Sequence, residues 1–329
     1  MRIRTRTFPV LLALILSLAA TLASRPAMAS DEGHFDRTLT VTGAVDLDVQ
    51  TGSGDITVRT GDSGKVEIHG RIHANHGWFS ADAEQHIHEI EANPPIEQNG
   101  NTIRVGHIEN HDWKNNISIS YELVVPVQTK LHSESGSGDQ VVNGIGGPVD
   151  SSSGSGSVRL TNIGGEAHAR TGSGDIEFNG IHGAARATAG SGGIRAIGIA
   201  GALSASSGSG SVKFEQTAAG DVEIGTGSGD VEIKGAKGAV KVQTGSGSIS
   251  AQGDPTGAWR LHTGSGDVTV ELPQQAAFNL VARTSSGSID SSREIAVQGK
   301  LSPRELQGKV GGGGPTVELS TSSGSIQIR

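Results

Sequence analysis

Two kinds of side chain in this 329-residue chain are grouped closely enough to suggest chemistry: histidine and aspartate. Seven of the 12 histidines fall between residues 69 and 111, namely His69, His73, His76, His86, His88, His107 and His111. Imidazole is a common ligand for transition metals. Their spacing as a set is not a recognised zinc motif, and His86 and His88 would diverge by about 200° on a helix of 3.6 residues per turn. No metal site is therefore assigned, and the candidates for weak binding of a divalent ion are His69, His73, His107 and His111. The aspartates follow glycine, in Gly52-Ser53-Gly54-Asp55, Gly136-Ser137-Gly138-Asp139, Gly172-Ser173-Gly174-Asp175, Gly227-Ser228-Gly229-Asp230 and Gly264-Ser265-Gly266-Asp267. A calcium β-roll also places aspartate after glycine, but its nonapeptide supplies ligands at both turns of each coil. Here aspartate occupies one turn only, in alternate coils. Calcium is not expected, and no cofactor is implied.

Enzyme chemistry on a β scaffold needs paired carboxylates, or acids and bases gathered on one strand face. Glu177, Glu232 and Asp290 belong to different segments, and no Gly-x-Ser-x-Gly elbow joins a strand to a helix. A carbohydrate-active enzyme is the second reading rather than the first. A glycan-binding role would draw on aromatic side chains, and Trp78, Phe79 and Trp113 are the candidates. A ladder of Ser or Thr stands three residues before the turn glycine in most coils, without the regular Thr-x-Thr of an ice-binding face.

What must position these residues is a repeat. With the last glycine of each turn as position zero, copies stand at Gly54, Gly138, Gly156, Gly174, Gly192, Gly210, Gly229, Gly247, Gly266, Gly287 and Gly324. From Gly138 to Gly287 the spacing stays between 18 and 21 residues. A fixed short period is the signature of a stacked architecture. Apolar or small residues recur at minus seven and minus five (Val149, Ser151; Ala167, Ala169; Val240, Val242) and at plus two and plus four (Val158, Leu160; Ile176, Phe178; Ile249, Ala251). Alternation on both sides of a turn means two half-buried strands per repeat. About 18 residues suit one coil of a two-sided parallel β-solenoid, with successive coils about 4.8 Å apart.

Side-chain sizes agree with a thin shared core. Where minus five is small (Ala169, Ala205), plus four is large (Phe178, Phe214); where minus five is Val242, plus four is Ala251. The coil at Gly192 pairs Ala187 with Ala196, so Ile197 or Ile199 is expected to fill the space. The glycines are expected to supply positive φ, and Asp or Ser at plus one to bond nearby amides. From Asp139 onward no two acids are adjacent in that column, which spares the stack about 1 kcal/mol of repulsion per neighbouring pair.

The pattern breaks between Gly54 and Gly138. Residues 30–130 read as a first coil plus an N-terminal cap or insertion of mixed α/β character. It has a helix near 80–92 (Ser80 as N-cap, with Ala83, Ile87 and Ile90 on one face) and strands at 96–98, 102–107 and 117–125. Residues 131–329 carry the repeats, interrupted by an irregular glycine-rich segment at about 292–316. Such a cap would cover the open edge of a solenoid.

Residues 1–29 read as an export signal: Arg2, Arg4 and Arg6, an apolar run from Val10 to Leu22, then Ala27-Met28-Ala29 before Ser30. Without them, 22 basic groups stand against 34 acidic ones, a formal charge of −12. Bulk charge therefore argues against nucleic acid or anionic lipid as partner. There are no cysteines.

Together the leader, Tyr121-Glu122-Leu123-Val124-Val125-Pro126, the Gly-Ser-Gly-Asp coils and Gly311-Gly312-Gly313-Gly314-Pro315 before a last Ser-Ser-Gly-Ser turn carry a resemblance. Over about residues 35–329 the chain resembles a bacterial β-strand-repeat family, the adhesin-like domain of unknown function 4097. That resemblance implies a solenoid-like envelope protein and supplies no catalytic residues. The expectation is an all-β, two-sided parallel β-solenoid with a mixed cap, exported to the periplasm or cell surface. Its expected role is a non-catalytic envelope or surface scaffold whose partner is a protein or glycan, with no integral membrane segment after signal cleavage.

Overall fold

The structure, a computed structural model, describes residues 32–74, 80–108, 117–297 and 302–329 and, within these, the side chains of all but residues 80–83. The export signal, His76, Trp78, Phe79, His111 and Trp113, the N-cap role given to Ser80 and the side chain of Ala83 on the apolar helix face lie outside what is described. The chain is a two-sided parallel β-solenoid with a mixed cap. Among the described residues, the strands before the turn glycines belong to a 15-stranded sheet and those after them to a 14-stranded sheet. Consecutive coils pair in parallel and in register: Val149, Ala167 and Ala185 align in the pre-turn sheet, and Val158, Ile176 and Ile194 in the post-turn sheet. Because the side-chain period is two, this register keeps every core column on the inside. Phe178, Trp259 and Leu261 are at most 1% exposed.

The N-terminal part contains β1 (Glu32–Thr40), β2 (Val45–Thr51), β3 (Ile56–Thr60), β4 (Lys65–Ala74), α1 (Ser80–Ala92), β5 (Ile96–Asn99), β6 (Thr102–Val105) and β7 (Ile117–Val125). Strands β2 and β3 form the Gly54 coil and pair in parallel with the Gly138 coil. On their other side, β6 pairs in parallel with β2 and β7 with β3, so the segment after the helix folds back as one more coil. Beyond it β4 and β1 add antiparallel to β7, and β5 antiparallel to β6. Ile87 and Ile90 bury one face of α1, which rests on β1 and β4. No helix among the described residues is long and apolar enough to cross a membrane.

At the other end the stack departs from chain order. The coil at Gly324 does not sit last. Its strand Thr316–Ser323 lies between Trp259–Ser265 and Phe278–Ser286, and Ile326–Ile328 lies between Val268–Glu271 and Ile289–Ser291. The chain leaves one coil's width open after Gly266, forms the Gly287 coil, and returns to fill the gap. The linking segment supplies Glu305–Val310, antiparallel to Phe278–Ser286, with Ala296–Val297 beyond it. Those two short strands cover the pre-turn edge, which would otherwise invite pairing with another chain.

The expected reason for the turn glycines needs correction. Among the copies, φ is positive at Gly266, Gly287 and Gly324 but not at Gly54, Gly138 or Gly174. Close approach explains the residue instead: a Cβ on Gly174 would lie 2.2 Å from the Gly156 carbonyl oxygen. The left-handed residues mark the second corner, six positions after zero, at Gly144, Asn162, Gly180, Gly198 and Gly235. In the Gly192 coil, Ile199 is buried and Ile197 only half-buried. Ile199 belongs to a further inward column with Ile145, Ile163 and Ile181, so it is not a special answer to the small Ala187–Ala196 pair.

Candidate functional site

The Gly-Ser-Gly corner is a hydrogen-bonded seam. Three residues before zero, a buried hydroxyl donates to the preceding coil's turn-glycine carbonyl and accepts from its own turn-glycine N–H. Ser135 Oγ donates to Gly54 O at 3.0 Å and accepts from Gly138 N at 2.8 Å; Thr171 Oγ1 donates to Gly156 O at 2.8 Å and accepts from Gly174 N at 3.1 Å. Thr226, Thr244 and Thr263 make the same donation to Gly210, Gly229 and Gly247. The Ser/Thr ladder thus faces inward and binds coil to coil. It is not a solvent-facing threonine array.

At plus one, each side-chain oxygen accepts from the plus-one amide of the next coil in the stack. Asp55 Oδ1 takes Asp139 N–H at 2.9 Å, Asp139 Oδ1 takes Ser157 at 2.8 Å, and Asp175 Oδ1 takes Gly193 at 2.7 Å. Asp230 Oδ1 takes Ser248 and Asp267 Oδ1 takes Ser325, each at 2.8 Å. Ser157, Ser211 and Ser248 hydroxyls do so for Asp175, Asp230 and Asp267 at 3.3 Å. Asp55 and Asp139 are stack neighbours, so two acids do stand side by side at the cap end. The carboxylates serve amides, which is structural chemistry.

The histidine candidates are not brought together. His69 and His73 lie on β4, where His69 Nδ1 bonds Asp36 Oδ1 and His73 Nδ1 stands 3.7 Å from Glu32 Oε1. His107 follows β6 in the other sheet, with Nε2 3.2 Å from Asp48 Oδ2 but not aligned for a hydrogen bond. Among the described residues no three His, Cys, Asp or Glu side chains gather to hold a metal ion. Beside His107 a groove opens between the cap and the first coils, lined by Gln50, Glu97, Arg104 and Glu134. At its base the Tyr121 hydroxyl is buried with no partner among the described residues, and burial pushes it well above its ordinary range.

The outer faces carry charged rows paired across coils. On the post-turn sheet Arg159 meets Glu177 at 2.8 Å, and Glu232 receives Lys213 at 3.2 Å and Lys234 at 2.8 Å. Hydrogen bonds from those lysines hold the Glu232 carboxyl below its usual range. On the pre-turn sheet Arg170 meets Asp150 at 3.3 Å and Lys241 meets Glu223 at 2.8 Å. One contact had no signal in the sequence: His262 Nδ1 lies 2.8 Å from Ser320 Oγ. They are 58 residues apart and meet only because the Gly324 coil is inserted beside the Gly266 coil. The other ring nitrogen of His262 has no carboxylate partner among the described residues, so the pair is not an oriented nucleophile and base.

Coils sewn together at one corner, with a common core and rows of paired charge outside, define a repeat-built scaffold. The chain belongs to the Toastrack family, DUF4097, whose model matches residues 46–329. Solved structures to which it is similar include the following three. A candidate cell-adhesion protein from Clostridium sporogenes is 12% identical, covering 90% of this chain and 98% of that one, with a TM-score of 0.23. A candidate adhesin from Bacteroides fragilis is 14% identical, covering 90% and 97%, with a TM-score of 0.32. One from Parabacteroides distasonis is 12% identical, covering 90% and 97%, with a TM-score of 0.34. No curated protein matches the chain.

Proposed function

We propose that the chain is an exported, non-catalytic scaffold of the cell envelope that presents its two outer faces to a protein or glycan partner. The observation that carries this reading is the registered surface. Neighbouring coils hold charged side chains in rows, and cross-coil ion pairs such as Arg159–Glu177 and Lys241–Glu223 fix their positions. A rigid array of repeated polar positions suits binding an extended partner. The acids and bases neutralise one another along the rows, and the shifts there hold Glu232 and Glu223 more firmly ionised, the wrong direction for a proton donor near neutral pH.

The first 29 residues support export as the address. The test is association with the producing cell's envelope. The purified protein, titrated onto isolated envelopes, is expected to bind saturably, and the cell fraction containing it to be periplasm or surface. Residence in the cytoplasm, or binding that never saturates, refutes the reading. Release of product from envelope polysaccharide would replace it with a carbohydrate-active enzyme.

A further inference from the structure

One rung of the plus-one seam is missing. From Asp139 through Ser325, every plus-one amide but one is capped by the plus-one side chain of the coil before it in the stack. The exception is Ser211. The residue before it in the column is Gly193, which has no side chain, and the Ser211 N–H has no acceptor among the described residues. Nothing in the packing demands glycine at 193. Its φ is not left-handed, and an added Cβ would find its nearest neighbour at 3.5 Å, an ordinary contact.

The gap lies where positive charge gathers. Arg195 pairs in register with Lys213 on the next strand, and both are exposed. Arg195 also stands in register with Glu177 on its other side, but that carboxylate is engaged by Arg159. Arg159 is held by Glu177 and Lys213 by Glu232, whereas Arg195 has no ion pair among the described residues. The Glu232 hydrogen bond raises the pKa of the Lys234 ammonium, and the Arg195 charge works against that rise. Gly193, Arg195, Ser211 and Lys213 line one groove on the post-turn face, which continues past Asp175 and Glu177 to Asp139.

We propose that this notch binds the carboxylate of an acidic glycan. A uronate oxygen takes the place of the absent side-chain oxygen on the Ser211 N–H, and Arg195 and Lys213 supply the countercharge. Charge-assisted hydrogen bonds of this kind are the strong ones. The rest of the groove selects a sugar over an acidic peptide. Asp139, Asp175 and Glu177 repel a second closely spaced anion but accept hydrogen bonds from the hydroxyls of neutral sugar units. The ligand is therefore a polymer in which uronates are separated by uncharged sugars. The assignment rests on the scaffold reading above and names the partner of one of its faces.

The test uses a hyaluronan hexasaccharide, which alternates uronate and neutral sugar, with neutral chitohexaose and hexaglutamate as the other arms. Calorimetry measures affinity, and the Ser211 amide resonance reports the position. The hyaluronan fragment is expected to bind and shift that amide, and chitohexaose to leave it in place. Gly193→Asp restores the missing rung and is expected to weaken binding at least tenfold with an unchanged or raised Tm, so that the loss cannot come from unfolding. Arg195→Gln is expected to weaken it similarly. Gly193→Ala, which adds no oxygen, is expected to retain binding within a few-fold. No binding of the hyaluronan fragment, equal binding by Gly193→Asp, or tighter binding of hexaglutamate each overturns the proposal. If the fragment fails to bind while saturable envelope association persists, the site assignment falls and the scaffold reading stands.

Discussion

Changing Gly174 to alanine would bring a methyl carbon to 2.2 Å from the Gly156 oxygen, 2.4 Å from its carbonyl carbon and 2.7 Å from the Ser157 nitrogen. Ordinary contact begins at about 3.5 Å, so the two coils would have to part by roughly 1 Å at this corner. They are not free to do so. Thr171 donates to Gly156 O at 2.8 Å, a bond that crosses the region that must open, and accepts from Gly174 N at 3.1 Å within its own coil. Overpacking of this kind costs about 1–3 kcal/mol, and each bond lost adds about 1 kcal/mol. With one such bond crossing the opening, the expected loss is about 2–4 kcal/mol. Gly225→Ala is the matched control. It lies within the strand Val222–Thr226, its φ is not left-handed, and an added Cβ meets nothing within 4 Å. That change is expected to be neutral or to stabilise by about 0.5–1 kcal/mol. Urea unfolding followed by far-ultraviolet circular dichroism compares the two. Equal midpoints would show that coil-to-coil approach is not what selects glycine at the turn.

Three further outcomes are expected. At the second corner, Asn162 sits at φ 53°, so Asn162→Val should cost about 1–2 kcal/mol while Asn162→Gly should not destabilise; thermal melts of the pair decide. Ala189 occupies the hydroxyl column without a hydroxyl and is buried; Ala189→Ser should supply the bond to the Gly174 carbonyl and stabilise by about 1 kcal/mol, and a lower midpoint would mean that the site cannot accept the extra oxygen. The His34 N–H bond to Glu91 (2.9 Å) is the main cause holding that carboxyl below its ordinary 4.5. Its stabilisation is therefore complete above pH 4.5 and is lost as pH falls through the lowered folded value. Hydrogen exchange of the His34 amide should accelerate across that window relative to neighbouring amides, and Glu91→Gln should abolish the pH dependence.

The core of this fold was written plainly in the columns. Ile176 and Phe178 alternate with Glu177 and Asn179, and a period of 18 residues repeats that pattern with little change. The same sameness hid the order of the stack. A coil presenting Val317 and Leu319 offers its neighbour much what one presenting Leu280 and Ala282 does, and parallel pairing asks only for matching columns. Nothing local says that residues 316–328 belong between the coils at Gly266 and Gly287. The length of the intervening segment was visible, but its purpose was not. Contacts that depend on the order, such as His262 with Ser320, were therefore out of reach.

The reason for glycine at most of the turns is hidden from the sequence on related grounds. Composition suggests positive φ, whereas a distance of 2.2 Å to the next coil appears only when two coils are placed together. Gly144, Gly180, Gly198 and Gly235 stand in the sequence at a constant offset, with Asn162 interrupting the column, and they take positive φ where Gly54, Gly138 and Gly174 do not. The same distinction gives the Gly193 notch its weight. In the corner column a glycine can be required by approach, as at Gly174, or merely leave a side chain out, as at Gly193. Only the second leaves a donor open, and the sequence writes both with one letter. A repeat protein can thus acquire a binding position by deleting one rung from an otherwise closed ladder, without disturbing the core that carries it.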